Sequence, residues 1–188
     1  MLDMPKLRKP TRIFQRIAFL GPMCSGKTWA AEYLRDNYGY KKIAFADKLK
    51  TLAYDLYGVT GKDGPNRELL QNLGTDLRKY DPELWIKHAL YNVQRYEPQP
   101  IVIDDLRYEN ESVLLKKNGF FLIGIQCDEA VRQSRIQRLY SGYGSGVFNH
   151  PSEIGWESMK ADAWVKSDGY NTMADLDELL EKAYEGAT

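Results

Sequence analysis

Gly21-Pro22-Met23-Cys24-Ser25-Gly26-Lys27-Thr28 is the stretch that decides the fold of this 188-residue chain. The apolar run Ile17-Ala18-Phe19-Leu20 precedes it, and a segment able to form a helix follows. With the spacing G-x-x-x-x-G-K-[ST] between a strand and a helix, the glycines permit a tight turn and successive backbone N–H groups converge on phosphate oxygens. Lys27 is then placed to reach the outer phosphates, and the Thr28 hydroxyl to ligate Mg2+. Gly21, Met23, Cys24, Ser25, Gly26, Lys27 and Thr28 are the expected contacts to a bound nucleoside triphosphate.

Working outward, short apolar runs alternate with amphipathic segments, the pattern of βα units around a mostly parallel sheet. Strands are expected at Phe14 to Leu20, Lys42 to Ala46, Ile101 to Asp104, Phe120 to Gln126 and Ala163 to Lys166. The central runs are apolar on successive residues, as strands covered on both faces must be. Helices are expected at Lys27 to Asn37, Lys48 to Tyr57, Arg67 to Arg78, Pro82 to Tyr96, Glu109 to Lys117, Glu129 to Leu139 and Met173 to Ala183. The expected fold is α/β, a P-loop NTPase fold with a five-stranded parallel sheet and helices on both faces, in one domain over residues 1–188.

Two stretches interrupt the alternation. Residues 47–100 form a long helical excursion, broken by the turn-rich run Gly58 to Pro65, with room for an acceptor. Residues 139–153 include Ser141-Gly142-Tyr143-Gly144-Ser145-Gly146 directly after a helix bearing Arg132, Arg135 and Arg138, which suits a mobile lid. The basic run in residues 1–12, with Pro5 and Pro10, reads as a flexible leader.

Composition bounds the function. Apolar residues make up 43% and charged residues 28%, ordinary for a globular protein, and the net charge is +0. Attraction for anions must therefore come from local clusters of Lys and Arg, and broad nucleic-acid binding is disfavoured. No apolar run approaches the roughly 20 residues of a membrane span, and a cytoplasmic location is expected. Cys24 and Cys127 have no zinc or disulfide spacing and are expected to be reduced and non-catalytic.

In Ile101-Val102-Ile103-Asp104-Asp105 an apolar strand ends in two carboxylates, at the strand end where open α/β sheets bind ligands. One carboxylate, assigned to Asp104, is expected to hold Mg2+ through water beside Thr28, and Asp105 to engage the acceptor or its neighbouring arginine. Capping of the next helix is the competing explanation for the pair. Arg107 offers a guanidinium for a substrate phosphate. The arginines at every third position of 132–138 suit closure over a transferring phosphoryl group, with Arg132 and Arg135 the chosen catalytic pair beside Lys27 and Arg107. Taken alone, Arg67 and Arg78 are equally compatible with surface ion pairs, Asp47 with a helix cap and Lys48 with a surface position, while Trp85 alone is more often core than a base-stacking wall.

Together, Gly21 to Thr28, Phe45-Ala46-Asp47-Lys48-Leu49-Lys50, Leu73-Gly74-Thr75-Asp76 with Arg78, Trp85-Ile86, Asp105-Leu106-Arg107 with Glu111, and His150-Pro151-Ser152-Glu153 resemble the deoxynucleoside monophosphate kinases of tailed bacteriophages, a branch of the P-loop nucleoside monophosphate kinases. The resemblance implies ATP and a (deoxy)nucleoside monophosphate as substrates, with Mg2+, no stable nucleic-acid or membrane partner, and a homodimer left open. Carried over by position, it implies that Asp47, Lys48, Gly74, Thr75, Trp85, Asp105, Arg107 and Glu111 contact the monophosphate nucleotide, with Arg67 or Arg78 holding its phosphate. Two other readings stay open: a P-loop kinase of another small acceptor such as dephospho-coenzyme A, and a non-kinase P-loop ATPase.

Overall fold

The computed structural model describes residues 14–61, 64–140, 155–167 and 172–185. The leader at 1–12 and most of the expected lid at 139–153 lie outside the described residues. Five strands form one parallel sheet: β1 (Arg16–Leu20), β2 (Lys41–Ile43), β3 (Ile101–Ile103), β4 (Phe121–Gln126) and β5 (Ala163–Lys166), in the order β2-β3-β1-β4-β5. The helices are α1 (Lys27–Tyr38), α2 (Ala46–Tyr57), α3 (Gly64–Tyr80), α4 (Leu84–Tyr96), α5 (Glu109–Lys117), α6 (Glu129–Tyr140) and α7 (Thr172–Glu185).

Alternate strand residues divide between two cores, which is why the strands read as unbroken apolar runs. Ile17, Phe19, Val102, Ile123 and Val165 pack on the side that holds Ala30, Ala31 and Leu34 of α1 and Leu176 and Leu180 of α7. Ala18, Leu20, Ile101, Ile103 and Leu122 pack on the other side, with Ala53 of α2, Leu70 of α3, Ile86 of α4 and Leu115 of α5. β1 lies centrally between β3 and β4, so the loop that leaves its carboxyl end opens over the middle of the sheet.

The expected strands and helices are all present, with shifted ends. One shift is informative: α2 begins at Ala46 and not at Lys48. Its first turn has no side-chain cap of its own. Instead, the Phe45 and Ala46 N–H groups donate to the Asp105 carboxylate at 2.9 and 3.0 Å. A distant carboxylate thus satisfies N-terminal donors and lets the helix start earlier, which shortens β2.

Candidate active site

Between β1 and α1 the backbone turns through unusual conformations. Gly21 has φ 139°, Cys24 φ 63° and Gly26 φ 107°. A Cβ on Gly21 would lie 2.6 Å from the Ile125 carbonyl oxygen, and one on Gly26 would lie 2.6 Å from Ser167 Oγ. The two fixed glycines of the motif are therefore required by packing against the ends of β4 and β5 as well as by φ. Lys27 is 8% exposed, and its ammonium donates to the carbonyls of Gly21 and Pro22 at 2.7 and 2.6 Å, which holds it on the inner edge of the loop. The Ser25 hydroxyl is fully buried and unpartnered among the described residues.

The loop forms one wall of a cavity of about 1010 Å3 lined by Met23, Cys24, Gly26, Lys27 and Thr28, with Asp47, Asp104, Asp105 and Arg135 around it. Gly21 and Ser25 lie beneath this lining. A second, smaller cavity of about 130 Å3 lies among α2, α3, α4 and the segment after β3. Phe45, Leu49, Leu70, Trp85 and Tyr108 give it apolar walls, with Gly74, Thr75, Gln71 and Arg78 among them. Lys50, Arg67 and Arg107 line both cavities, so three cationic side chains stand where the two meet.

The small cavity is braced from behind. Trp85 is 3% exposed, and its indole N–H donates to the Gly74 carbonyl at 3.0 Å. Arg78 donates to the same carbonyl at 3.2 Å and to Glu111 at 2.9 Å, with its guanidinium 4.3 Å from the centre of the Tyr108 ring. The other oxygen of Glu111 accepts the Arg107 and Tyr108 backbone N–H groups, both at 3.1 Å. Burial pushes the Glu111 carboxyl above its ordinary range, against the pull of Arg78. Asp105 is likewise raised, first by burial and then by the charge of Asp104, despite its two backbone donors.

Besides Gly21 and Ser25, three expected contacts, Lys48, Glu111 and Arg132, line neither cavity. Lys48 is exposed on α2, and Lys50 projects into the lining in its place. Glu111 stands behind Arg78 and Tyr108. Arg132 is turned back along α6, where it makes two 2.7 Å hydrogen bonds to Glu129 and holds that carboxyl down at about 2. Arg135 reaches the loop, donating to the Cys24 carbonyl, Cys127 Sγ, Ser167 Oγ and the Ser167 carbonyl at 3.1 to 3.3 Å. Arg138 also lines the larger cavity, though it was set aside among the helix arginines.

Sequence reading missed Lys42, Lys50 and Ser167. Lys50 was within reach, since it stands one turn after Asp47 on α2 and pairs with it at 3.3 Å. Lys42 and Ser167 carried no signal, because positions on or just after the edge strands β2 and β5 acquire their neighbours only through sheet order.

Thr28 and Asp104 line the same cavity, the threonine exposed and the aspartate 7% exposed. A hydroxyl and a carboxylate are hard oxygen donors, a set that fits Mg2+, which keeps much of its shell for water and phosphate. Among the described residues no three of His, Cys, Asp and Glu gather as a metal cage.

Against known proteins, the family model described as "AAA domain" matches residues 17–144. A protein of Acanthamoeba polyphaga mimivirus named "Putative deoxynucleotide monophosphate kinase" is 26% identical, over 77% of this chain and 83% of that protein. Among solved structures, TT1252 from Thermus thermophilus is similar with a TM-score of 0.56 and 18% identity, covering 96% of this chain and 100% of that one. A gluconokinase from Sinorhizobium meliloti 1021 is similar with a TM-score of 0.52 and 16% identity, covering 95% and 100%. These structural likenesses concern the fold.

Proposed function

This chain belongs to the AAA domain family, and we propose that it is a nucleotide kinase that moves the γ-phosphoryl group of ATP to a (deoxy)nucleoside monophosphate, giving ADP and the diphosphate. The observation that carries this reading is the pair of cavities joined by Lys50, Arg67 and Arg107. One cavity has a phosphate loop, the other has aromatic walls sized for part of a small planar ligand, and cations stand between them. A motor or switch needs the first cavity and not the second. The name carried by the mimivirus relative points to the same acceptor class.

In the proposed reaction an acceptor phosphate oxygen attacks the γ-phosphorus in line. No general base is required, because a phosphate monoester with a second pKa of about 6 is already largely ionised at neutral pH. The difficulty is repulsion between two anions, and the chain meets it with fixed positive charge. Lys27 holds the donor phosphates, Lys50, Arg67 and Arg107 neutralise both reactants at the junction, and Arg135 and Arg138 approach from α6. Arg132 belongs to this group only after leaving Glu129. Thr28 and Asp104 would hold Mg2+, which supplies further neutralisation of the phosphates when bound. Glu111 and Asp105 act in this reading through the side chains and backbone they hold. Trp85 and Tyr108 supply the surface for the acceptor base, and residues 139–153 the lid.

The deciding experiment is steady-state phosphorylation of the common nucleoside and deoxynucleoside monophosphates with MgATP, read as ADP release and diphosphate formation. Transfer to at least one monophosphate is expected. ATP hydrolysis with no phosphorylated acceptor would refute the assignment.

A further inference from the structure

Lys42 belongs to neither the phosphate loop nor the acceptor walls, yet its side chain enters the larger cavity. It lies on β2 in register with Val102 of β3, and its ammonium reaches past that strand's end to stand 2.8 Å from Asp104 Oδ2. The Lys42 side chain is 25% exposed and that of Asp104 only 7%. A carboxylate this far from water needs a counter-charge, and Lys42 supplies it.

Asp104 also lines, together with Thr28, the larger cavity read above as the donor site. An ammonium and a divalent cation at one carboxylate repel each other and draw on the same oxygens. We propose that Lys42 is a positioning residue that occupies Asp104 and suppresses metal binding by the protein alone, so that Mg2+ enters with the triphosphate. Phosphate oxygens brought by ATP add the negative charge that lets ammonium and metal coexist in one cavity. The consequence is an ordered loading: the metal-binding carboxylate is screened until the donor is present.

This inference rests on the reading of the larger cavity as the donor site, but its test uses no acceptor. Mn2+, as a paramagnetic probe for Mg2+, is titrated into the full-length protein and free Mn2+ is followed by electron paramagnetic resonance. Lys42→Met and Lys42→Gln should each bind Mn2+ in the absence of nucleotide on the order of tenfold more tightly than wild type, the direction set by removal of one like charge. Asp104→Asn combined with Lys42→Met should abolish the gain, and Lys42→Arg should behave as wild type. With a non-hydrolysable ATP analogue bound, the difference between wild type and Lys42→Met should shrink. Melting curves identify any variant that fails to fold, and the second neutral variant then carries the measurement. Unchanged or weaker Mn2+ binding in a folded neutral variant overturns the proposal, whereas failure to phosphorylate any monophosphate would overturn the kinase reading alone.

Discussion

Replacing Gly26 with alanine tests how the end of β5 is locked onto the phosphate loop. Gly26 has φ 107°, a conformation whose cost for a residue with a Cβ is about 1–3 kcal/mol. The added methyl would also stand 2.6 Å from Ser167 Oγ, a contact that forces the serine aside. That hydroxyl accepts a 3.1 Å hydrogen bond from Arg135, and losing a bond to a charged donor costs about 1.5–3 kcal/mol. Gly26→Ala should therefore destabilise the protein by about 4 kcal/mol in urea unfolding, the sum of the two effects. In a Ser167→Ala background the nearest neighbour becomes the residue 167 Cβ at 3.4 Å, an ordinary contact, and the hydrogen bond is already gone. There, Gly26→Ala should cost only the backbone strain, so the four proteins should show a coupling of about 1.5–3 kcal/mol. Equal costs in both backgrounds, within about 0.5 kcal/mol, would refute the idea that Ser167 locks the loop.

Lys27→Ala should remove most turnover in the coupled ADP assay, since among the described residues no other lysine stands on the loop carbonyls; near-normal phosphoryl transfer would sink the donor-site assignment. Arg107→Ala should lower kcat by about 10²–10³, the cost of one fixed charge at a transition state, while a change confined to acceptor KM would make it a binding residue only. Of the α6 arginines, Arg138→Ala should slow turnover more than Arg132→Ala, because Arg138 lines the larger cavity and Arg132 is held by Glu129; the reverse order would show that Arg132 leaves Glu129 during turnover. Asp105 and Glu111 both have folded pKa values raised above their ordinary 3.8 and 4.5, so the stability they contribute is complete below those values and declines as pH rises through the folded ones. The stability of wild type relative to Asp105→Asn/Glu111→Gln should accordingly fall with rising pH from about pH 4 upward; a difference that stays flat or grows with pH would contradict it.

What the sequence made legible follows from the range of the interactions concerned. The loop at 21–28 is a local structure, written in consecutive residues, and its strand and helix could be read beside it. The alternating faces of β1 and β3 follow from period-two geometry, so the layers were legible too. Asp105 was different. Its nearest partners, Phe45 and Ala46, are 60 and 59 residues away, and they meet only because β2 and β3 are neighbours. The start of α2 was misplaced for the same reason. Lys42 was unreadable as a site residue until the sheet order brought it to Asp104, whereas the pairing of Arg132 with Glu129, three residues before it on one helix, was within reach of the sequence, as Lys50 with Asp47 was. Local motifs located the candidate site, while the partners that hold its charges in place came from topology.

That division bears on how a neutral chain gathers anions. The whole molecule has a formal charge of +0 and offers no long-range field to draw in nucleotides. The larger cavity nonetheless has seven basic side chains against four acidic in its lining, and the smaller has four basic and none acidic. One of these cations is tied to an acid that itself avoids the substrate path: Arg78 leans on Glu111, which lines neither cavity. A counter-charge placed behind the wall fixes the orientation of the cation without cancelling the field in front, which low-dielectric surroundings then strengthen. Such a site attracts phosphates at short range only, and it discriminates by position. In the proposed reading, a triphosphate on the loop and a monophosphate in the aromatic cavity would both reach Lys50, Arg67 and Arg107, which line both cavities, and an anion that occupies neither would gain little from either.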